Sequence, residues 1–179
     1  LLNYRNYQNL KLDFSEKTNI LYGDNAQGKT NVLEAVYVCA TTKSHKGSKD
    51  REMIRFGCED AHLRMFVERR GTLHKIDMHL KKHKNKGVAI DGVQVKKSSE
   101  LMGLVHVVFF SPEDLAMIKN GPSYRRRFVD MELCQLNKLY LYQISGYNKV
   151  IAQRNNLLKQ IGIQPELKDT LDVWDMQLA

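Results

Sequence analysis

Apolar and polar residues alternate with period two in some stretches of this chain and recur at helical spacing in others. Residues 9–14 set Leu10, Leu12 and Phe14 against Lys11 and Asp13, the pattern of a half-buried strand. Asn19-Ile20-Leu21-Tyr22 reads as a second, short strand that feeds a glycine loop at 23–28. Residues 29–40 carry Val32, Leu33, Ala35, Val36, Tyr37 and Val38, apolar nearly all round, as in a helix buried on most faces. Residues 61–69 put Ala61, Leu63, Met65 and Val67 on one face. Gly71 turns the chain, and Ile76, Met78 and Leu80 resume the alternation, which predicts a hairpin. Asp91-Gly92 between residues 88–90 and 93–95 predicts a second, tight hairpin. The continuous apolar run at 104–110 reads as a buried strand.

The character changes at Ser111-Pro112-Glu113-Asp114, where Ser is placed as N-cap and Pro at the first position of a helix. Beyond it the spacing is helical. Tyr140, Ile144, Tyr147, Ile151, Leu158 and Ile161 form one stripe, closed by Gly162 and Pro165, and Leu167, Leu171, Trp174 and Leu178 form another. Two parts are predicted: 1–110, an α/β lobe with the glycine loop and hairpins, and 111–179, the start of a helical lobe. The chain opens on Leu1 and stops at Ala179 with no helix-stop signal, so a piece cut at both ends is expected.

Composition narrows the classes. At 179 residues, 42% hydrophobic and 27% charged, the chain is that of a folded protein, not a disordered one. Lys and Arg number 28 against 20 Asp and Glu, a net charge of +8 that favours a polyanionic partner. Three cysteines, Cys39, Cys58 and Cys134, stand at wide spacing with no CxxC, which argues against a disulfide scaffold or a zinc site and fits a reducing cytosol. No apolar run reaches the length of about 18 residues that a membrane span needs, so no membrane role is expected.

Gly23-Asp24-Asn25-Ala26-Gln27-Gly28-Lys29-Thr30 matches G-x-x-x-x-G-K-[ST] in full, between a predicted strand and a predicted helix. Glycines let successive backbone N–H groups point at phosphate oxygens, and the helix that follows adds the positive end of its dipole. Lys29 has the reach for the β- and γ-phosphates of a nucleotide, and the Thr30 hydroxyl suits Mg²⁺. A hydrolytic site also needs an acid at a strand end. After 104–110, Ser111-Pro112 intervene before Glu113 and Asp114 and start a helix, so the Walker B acid is expected to lie outside this chain.

Further stretches carry a family resemblance. Asn3-Tyr4-Arg5-Asn6-Tyr7, the phosphate loop with Asn31, Thr42-Lys43-Ser44-His45, Phe110-Ser111-Pro112-Glu113-Asp114-Leu115, Arg125-Arg126-Arg127-Phe128, Arg154-Asn155-Asn156-Leu157-Leu158 and Trp174-Asp175-Met176-Gln177-Leu178-Ala179 resemble, in order, motifs of the RecF family of bacterial recombination ATPases. The resemblance spans essentially the whole chain. It implies an α/β P-loop NTPase fold: a nucleotide-binding lobe like the ABC-type heads of SMC and Rad50 proteins, with a mixed sheet, plus a partial helical lobe. It implies ATP and Mg²⁺ as cofactors and Gly23, Asp24, Asn25, Ala26, Gln27, Gly28, Lys29, Thr30 and Asn31 as the nucleotide-binding residues. Two such heads would close on ATP as a homodimer, clamp DNA at gaps and single-strand/double-strand junctions, and act in the bacterial cytoplasm with RecO and RecR to help load RecA. Hydrolysis would be slow in the whole protein and absent or very weak in this stretch, because signature and Walker B lie downstream in the family. Glu113 stands where SMC-like heads carry the Q-loop glutamine, a Mg²⁺-sensing position. Lys46 stands where related heads carry a phosphate- or DNA-facing Arg, which keeps charge but loses the bidentate fork. Asn3 and Arg5 resemble a segment beside the nucleotide. Ile144-Ser145-Gly146-Tyr147 lies inside a helical stripe and lacks the second glycine of a signature motif.

Lys81, Lys82, Lys84 and Lys86 fall on a predicted hairpin turn, where phosphate-backbone contact and a solvated lysine turn are both open readings. No aromatics interleave them, which favours duplex backbone over base stacking. Arg125-Arg126-Arg127 sits near a helix start, against the macrodipole, so a carboxylate, nucleotide or DNA partner is expected as readily as plain solvent. The competing functions are another P-loop enzyme, such as a small-molecule kinase, and a DNA-binding piece with a vestigial nucleotide site. The open helical end and the later motifs weigh against the first, and intact Lys29 and Thr30 against the second.

Overall fold

The computed structural model describes residues 1–115 and 121–178. The chain divides into two compact units, Leu1–Asp114 and Leu115–Ala179.

The first unit is a six-stranded sheet with one long helix against it. Its strands are β1 (Leu2–Tyr4), β2 (Tyr7–Asn9), β3 (Asp60–Arg69), β4 (Thr72–Lys81), β5 (Gly87–Ile90) and β6 (Val93–Gln94), in the order β2-β1-β3-β4-β5-β6. Every ladder between them is antiparallel; the one parallel pairing among the described residues is the isolated bridge Met102–Val105. Both predicted hairpins form. Arg70-Gly71 joins β3 to β4 with φ of 51° and 76°, and Asp91-Gly92 joins β5 to β6 with φ of 54° and 84°. Positive φ at both central residues is the turn whose twist matches its strands.

The alternation of β3 and β4 puts Ala61, Leu63, Ile76, Met78 and Leu80 on one face, all buried. Helix α1 (Lys29–Thr41) lays Ala35, Val38 and Cys39 on the same core, joined by Tyr4 and by Met53 of the short helix α2 (Asp50–Met53). Burial pushes the Cys39 thiol up to about 12, so it packs as a small apolar group.

Three strand expectations differ from the structure. Residues 10–14 lie outside any strand, with 11–14 exposed and Leu10 half-buried against the Leu1 backbone; the N-terminal pairing is instead the hairpin β1–β2, too short to show alternation. Residues 19–22 and 104–110 are outside any strand too. Ile20 (78%), Tyr22 (91%), Val108 (85%) and Phe110 (77%) are largely exposed. An apolar extended segment becomes a strand only beside a backbone that accepts its N–H and C=O groups. Neither segment takes part in a strand ladder among the described residues; Val105 is held by the isolated bridge to Met102.

The second unit is helical. It comprises α3 (Pro122–Leu136), α4 (Lys138–Ile161), a 3₁₀ turn at Pro165–Thr170 and α5 (Leu171–Leu178). Asn137 caps α4 by accepting from the N–H groups of Leu139 and Tyr140, and Gly162 follows its last residue, as the stop signal predicts. The stripe expected from Leu167 to Leu178 is broken: Pro165 starts the 3₁₀ turn, and the α-helix begins only at Leu171. Arg154 on α4 donates to Asp175 on α5 at 2.5 Å, which brings two of the family-like motifs into contact. The Arg125-Arg126-Arg127 triplet is exposed on the early turns of α3.

Candidate functional site

The phosphate loop is held open by backbone geometry that few residues adopt. Gly23, Ala26 and Gly28 have φ of 134°, 64° and 98°. Gly28 then caps α1, and its carbonyl accepts from the N–H groups of Asn31 (2.7 Å) and Val32 (3.2 Å). The first free N–H groups of α1 therefore sit at the end of the loop, where an anion is favoured. Lys29 folds back over the loop and donates to the carbonyls of Gly23 (2.7 Å) and Asp24 (2.5 Å). Asp24, Asn25, Ala26, Gln27 and Thr30 are exposed, and Thr30 lies in the first turn of α1.

A buttress that sequence reasoning missed stands beneath the loop. Asn6 in the turn between β1 and β2 and Tyr7 at the start of β2 both donate from their side chains to the carbonyl of Gln27 at 3.2 Å. Asn31 donates to Asn6 Oδ1 at 2.9 Å, so Asn6 bridges the loop and the first turn of α1. A Cβ at Gly28 would lie 2.6 Å from Asn6 Oδ1 and from the Tyr7 hydroxyl. The second glycine of the motif thus serves close approach as well as the turn.

Behind the loop, a charged network joins α1 to the segment after it. Glu34 is fully buried, in a helix otherwise lined with apolar groups. Its carboxylate accepts from Arg5 Nε (2.8 Å), from an Arg5 terminal nitrogen (2.6 Å) and from the Ser44 hydroxyl (2.6 Å). Arg5 also donates to Ser48 Oγ and to the carbonyl of Glu52, each at 2.8 Å. Burial alone pushes the Glu34 carboxyl up, but the hydrogen bonds and charge of Arg5 together with Ser44 outweigh it and hold the group below the usual carboxylate range. Tyr4 is shifted the other way, its hydroxyl raised by burial and by the Glu34 charge. The signal for this network was in the sequence: a carboxylate on the buried face of an apolar helix requires an internal cation. Asn3 and Arg5 both have positive φ, 49° and 52°. Arg5 is spent on Glu34 and its neighbours.

The lysine turn between β4 and β5 is not uniform. Lys81, Lys82 and Lys84 are exposed, and Lys82 pairs with Glu59 at 2.9 Å. Lys86 is turned inward: its ammonium donates to the Thr42 carbonyl (2.5 Å) and to Asp50 Oδ1 (2.8 Å). Lys46 is exposed, with its backbone N–H on Ser44 Oγ at 3.1 Å. Glu113 falls in the 3₁₀ turn Pro112–Leu115, before which Ser111 donates from N–H and hydroxyl to the Asp114 carboxylate; the Glu113 side chain lies outside the described residues. No group of three His, Cys, Asp or Glu residues that could hold a metal occurs among the described residues.

Comparison with known proteins decides the family. Residues 1–169 match the model of the AAA domain. The chain belongs to the AAA domain family. Its relatives include the DNA replication and repair protein RecF of Lachnoclostridium phytofermentans, 69% identical over 178 residues. That of Agathobacter rectalis is 62% identical over the same length. Each alignment takes in 99% of this chain and 49% of the relative, so the chain spans about half the length of the curated relatives it matches. Among solved structures, the recombination mediator protein RecF with ATP in the RecFOR pathway superposes with a TM-score of 0.93 at 37% identity, covering 98% of this chain and 48% of that one. A structure from work on SMC ATPases superposes at 0.55 with 17% identity, over 72% of this chain and 93% of that one, a likeness of fold alone. The RecF resemblance carried by the motifs is borne out, and so is the α/β phosphate-loop fold with its added helices. No helix among the described residues is long and apolar enough to cross a membrane.

Proposed function

We propose that this chain is the nucleotide-binding part of a RecF-type recombination mediator, with residues 1–110 as the nucleotide lobe and 111–179 as the start of a helical lobe. The observation that carries this reading is the buttressed phosphate loop on the N-terminus of a buried helix, in a chain that superposes on an ATP-bound RecF over 98% of its length. In it, the N–H groups of residues 23–31 and the Lys29 ammonium take the phosphates of ATP. Lys29 leaves the carbonyls of Gly23 and Asp24 and carries its charge to the β- and γ-phosphates. Thr30 takes one position on Mg²⁺. When bound, the metal neutralises phosphate charge. Lys81, Lys82 and Lys84 meet the backbone of duplex DNA, with Lys86 as their anchor. The whole protein closes as an ATP-bound homodimer on DNA at gaps and junctions, and works in the bacterial cytoplasm with RecO and RecR toward RecA loading.

Two measurements test this. Calorimetric titration of the full-length protein with ATP and Mg²⁺ is expected to show binding. Lys29→Met should weaken it by about 10- to 100-fold, the worth of one charge-assisted contact. Unaltered affinity in that variant overturns the nucleotide reading. For DNA, the Lys81→Glu, Lys82→Glu, Lys84→Glu variant should flatten the slope of log affinity against log salt by about 2.7 or more, at about 0.9 per lost phosphate contact. An unchanged slope returns the turn to solvent.

A further inference from the structure

No aromatic interleaves the lysines at 81–86 in the sequence, but the fold brings one to them. After α2, Ile54 bridges to Tyr4, and the Arg55 N–H donates to the Asn3 carbonyl at 2.8 Å. The chain then turns at Phe56-Gly57, closed by the Cys58 N–H on the Arg55 carbonyl at 3.0 Å, with Gly57 at a φ of 82°. Glycine suits that third turn position, so Phe56 stands at the tip of a turn tied to β1 on one side and leading into β3 on the other. Its side chain is 100% exposed. Glu59, which follows the turn, fastens the lysine turn. Its carbonyl accepts from the Lys82 N–H at 3.1 Å and its carboxylate from the Lys82 ammonium at 2.9 Å. Asp60 faces Lys81 across the β3–β4 ladder, and the Lys86–Asp50 bond brings α2 to the same end of the sheet. Residues 50–60 and 81–86 hold six Lys or Arg against four Asp or Glu. All four acids are engaged within the protein: Asp50 by Lys86, Glu52 by the Lys49 N–H, Glu59 by Lys82 and Asp60 by His79. Arg51, Lys81 and Lys84 are exposed.

We propose that Phe56 is a base-stacking residue, which takes the face of an unpaired base where a DNA strand leaves the duplex held along Lys81, Lys82 and Lys84. This rests on the reading of the lysine turn given above, and adds what the strand offers besides phosphate. Lysines answer charge, and a blunt duplex carries the same backbone charge as the duplex part of a junction. A ring can tell the two apart. Paired bases are covered on both faces by their neighbours in the stack, whereas an unpaired base presents a bare π-face to an aromatic side chain. A lone exposed ring is ordinary on a protein surface. The setting of this one points to nucleic acid: its turn is anchored at both ends, so little ordering is lost on contact, and the cations beside it suit a polyanion better than an apolar protein face. The exposed Lys82–Glu59 pair holds Lys82 only weakly, so a phosphate can draw it away.

The test uses the full-length protein and two DNA probes with the same duplex, one blunt and one with a single-stranded tail that carries 2-aminopurine at its first unpaired position. Phe56→Ala should weaken binding of the tailed probe by about five- to 100-fold, the range for one lost base–aromatic stack. Its affinity for the blunt probe should stay within about twofold of the parent. The slope of log affinity against log salt should hold for both probes, since a phenyl ring releases no counterions. The parent and Phe56→Trp should quench the 2-aminopurine fluorescence, and Phe56→Ala should leave it bright. Unchanged affinity of Phe56→Ala for the tailed probe returns the ring to solvent or to a protein partner and overturns the proposal. The reading of the lysine turn then still stands if the triple lysine variant flattens the salt slope. An equal loss on both probes overturns the proposal as well, because the ring then serves the duplex. A lower melting temperature in Phe56→Ala with DNA binding intact assigns the ring to packing in the full-length protein, which also overturns it. A parent that binds neither probe overturns the underlying reading, and the stacking with it.

Discussion

Replacing Glu34 with alanine should destabilise the first unit by about 3–5 kcal/mol, the usual cost of removing one partner of a buried ion pair. The reason lies in what is left behind. Arg5 loses both of its bonds to the carboxylate, and Ser44 loses its acceptor. The Arg5 guanidinium keeps its bonds to Ser48 and the Glu52 carbonyl, with no carboxylate beside it to answer its charge. Denaturant unfolding of the parent and the variant measures the difference, and a change under about 1 kcal/mol would show the network to be dispensable. The same carboxylate gives a pH dependence with a definite sign. Its folded value is held below the ordinary one, so its contribution is present above the unfolded value of about 4.3 and is lost as pH falls through the folded value. Glu34→Gln cannot titrate and should flatten the acid limb of a plot of stability against pH. An equally steep acid limb in that variant would assign acid unfolding to other carboxylates.

Gly28→Ala should cost about 2.5–6.5 kcal/mol and impair nucleotide binding as well. A Cβ at a φ of 98° carries strain of about 1–2 kcal/mol. The rest comes from the neighbours. The atoms the Cβ would meet, at 2.6–2.7 Å, are the far ends of the Asn6 and Tyr7 side chains, which can swing away. Doing so breaks their bonds to Gln27 and the Asn31–Asn6 bond, each worth about 0.5–1.5 kcal/mol. Asn6→Ala removes its share of those bonds without the strain. The double variant should therefore lose less than the sum of the two single ones. Strict additivity would mean that Asn6 does not yield to the new methyl group. Gly57→Ala is the control: φ is 82° and nothing lies within 4 Å of its Cβ, so it should show backbone strain alone.

The buttress explains a feature the motif alone leaves open. Asn31 follows the last motif residue and carries no phosphate chemistry by type. Its side chain turns back to Asn6, 25 positions earlier in the chain. Lys86 makes the same point for the basic turn. Four lysines look alike in composition, yet Lys86 is spent on Thr42 and Asp50, 44 and 36 residues away. Treating the four as one patch misassigns it.

Where a feature depends on near neighbours, the sequence by itself determined it. The phosphate loop, the helix after it, the two glycine turns and the inward faces of β3 and β4 all follow from residue types within a few positions, because φ preference and side-chain period are local properties. The family was also legible, through motifs in fixed order along the chain. Tertiary structure alone decided the rest. Residues 10–14, 19–22 and 104–110 have strand-like patterns but form no strand among the described residues, and a strand is a relation between segments. Arg5 meets Glu34 across 29 positions, and Ser48 meets Arg5 across 43. Nothing in a window of the sequence names such a partner, since a buried charge states only that it needs one. The fold supplies it.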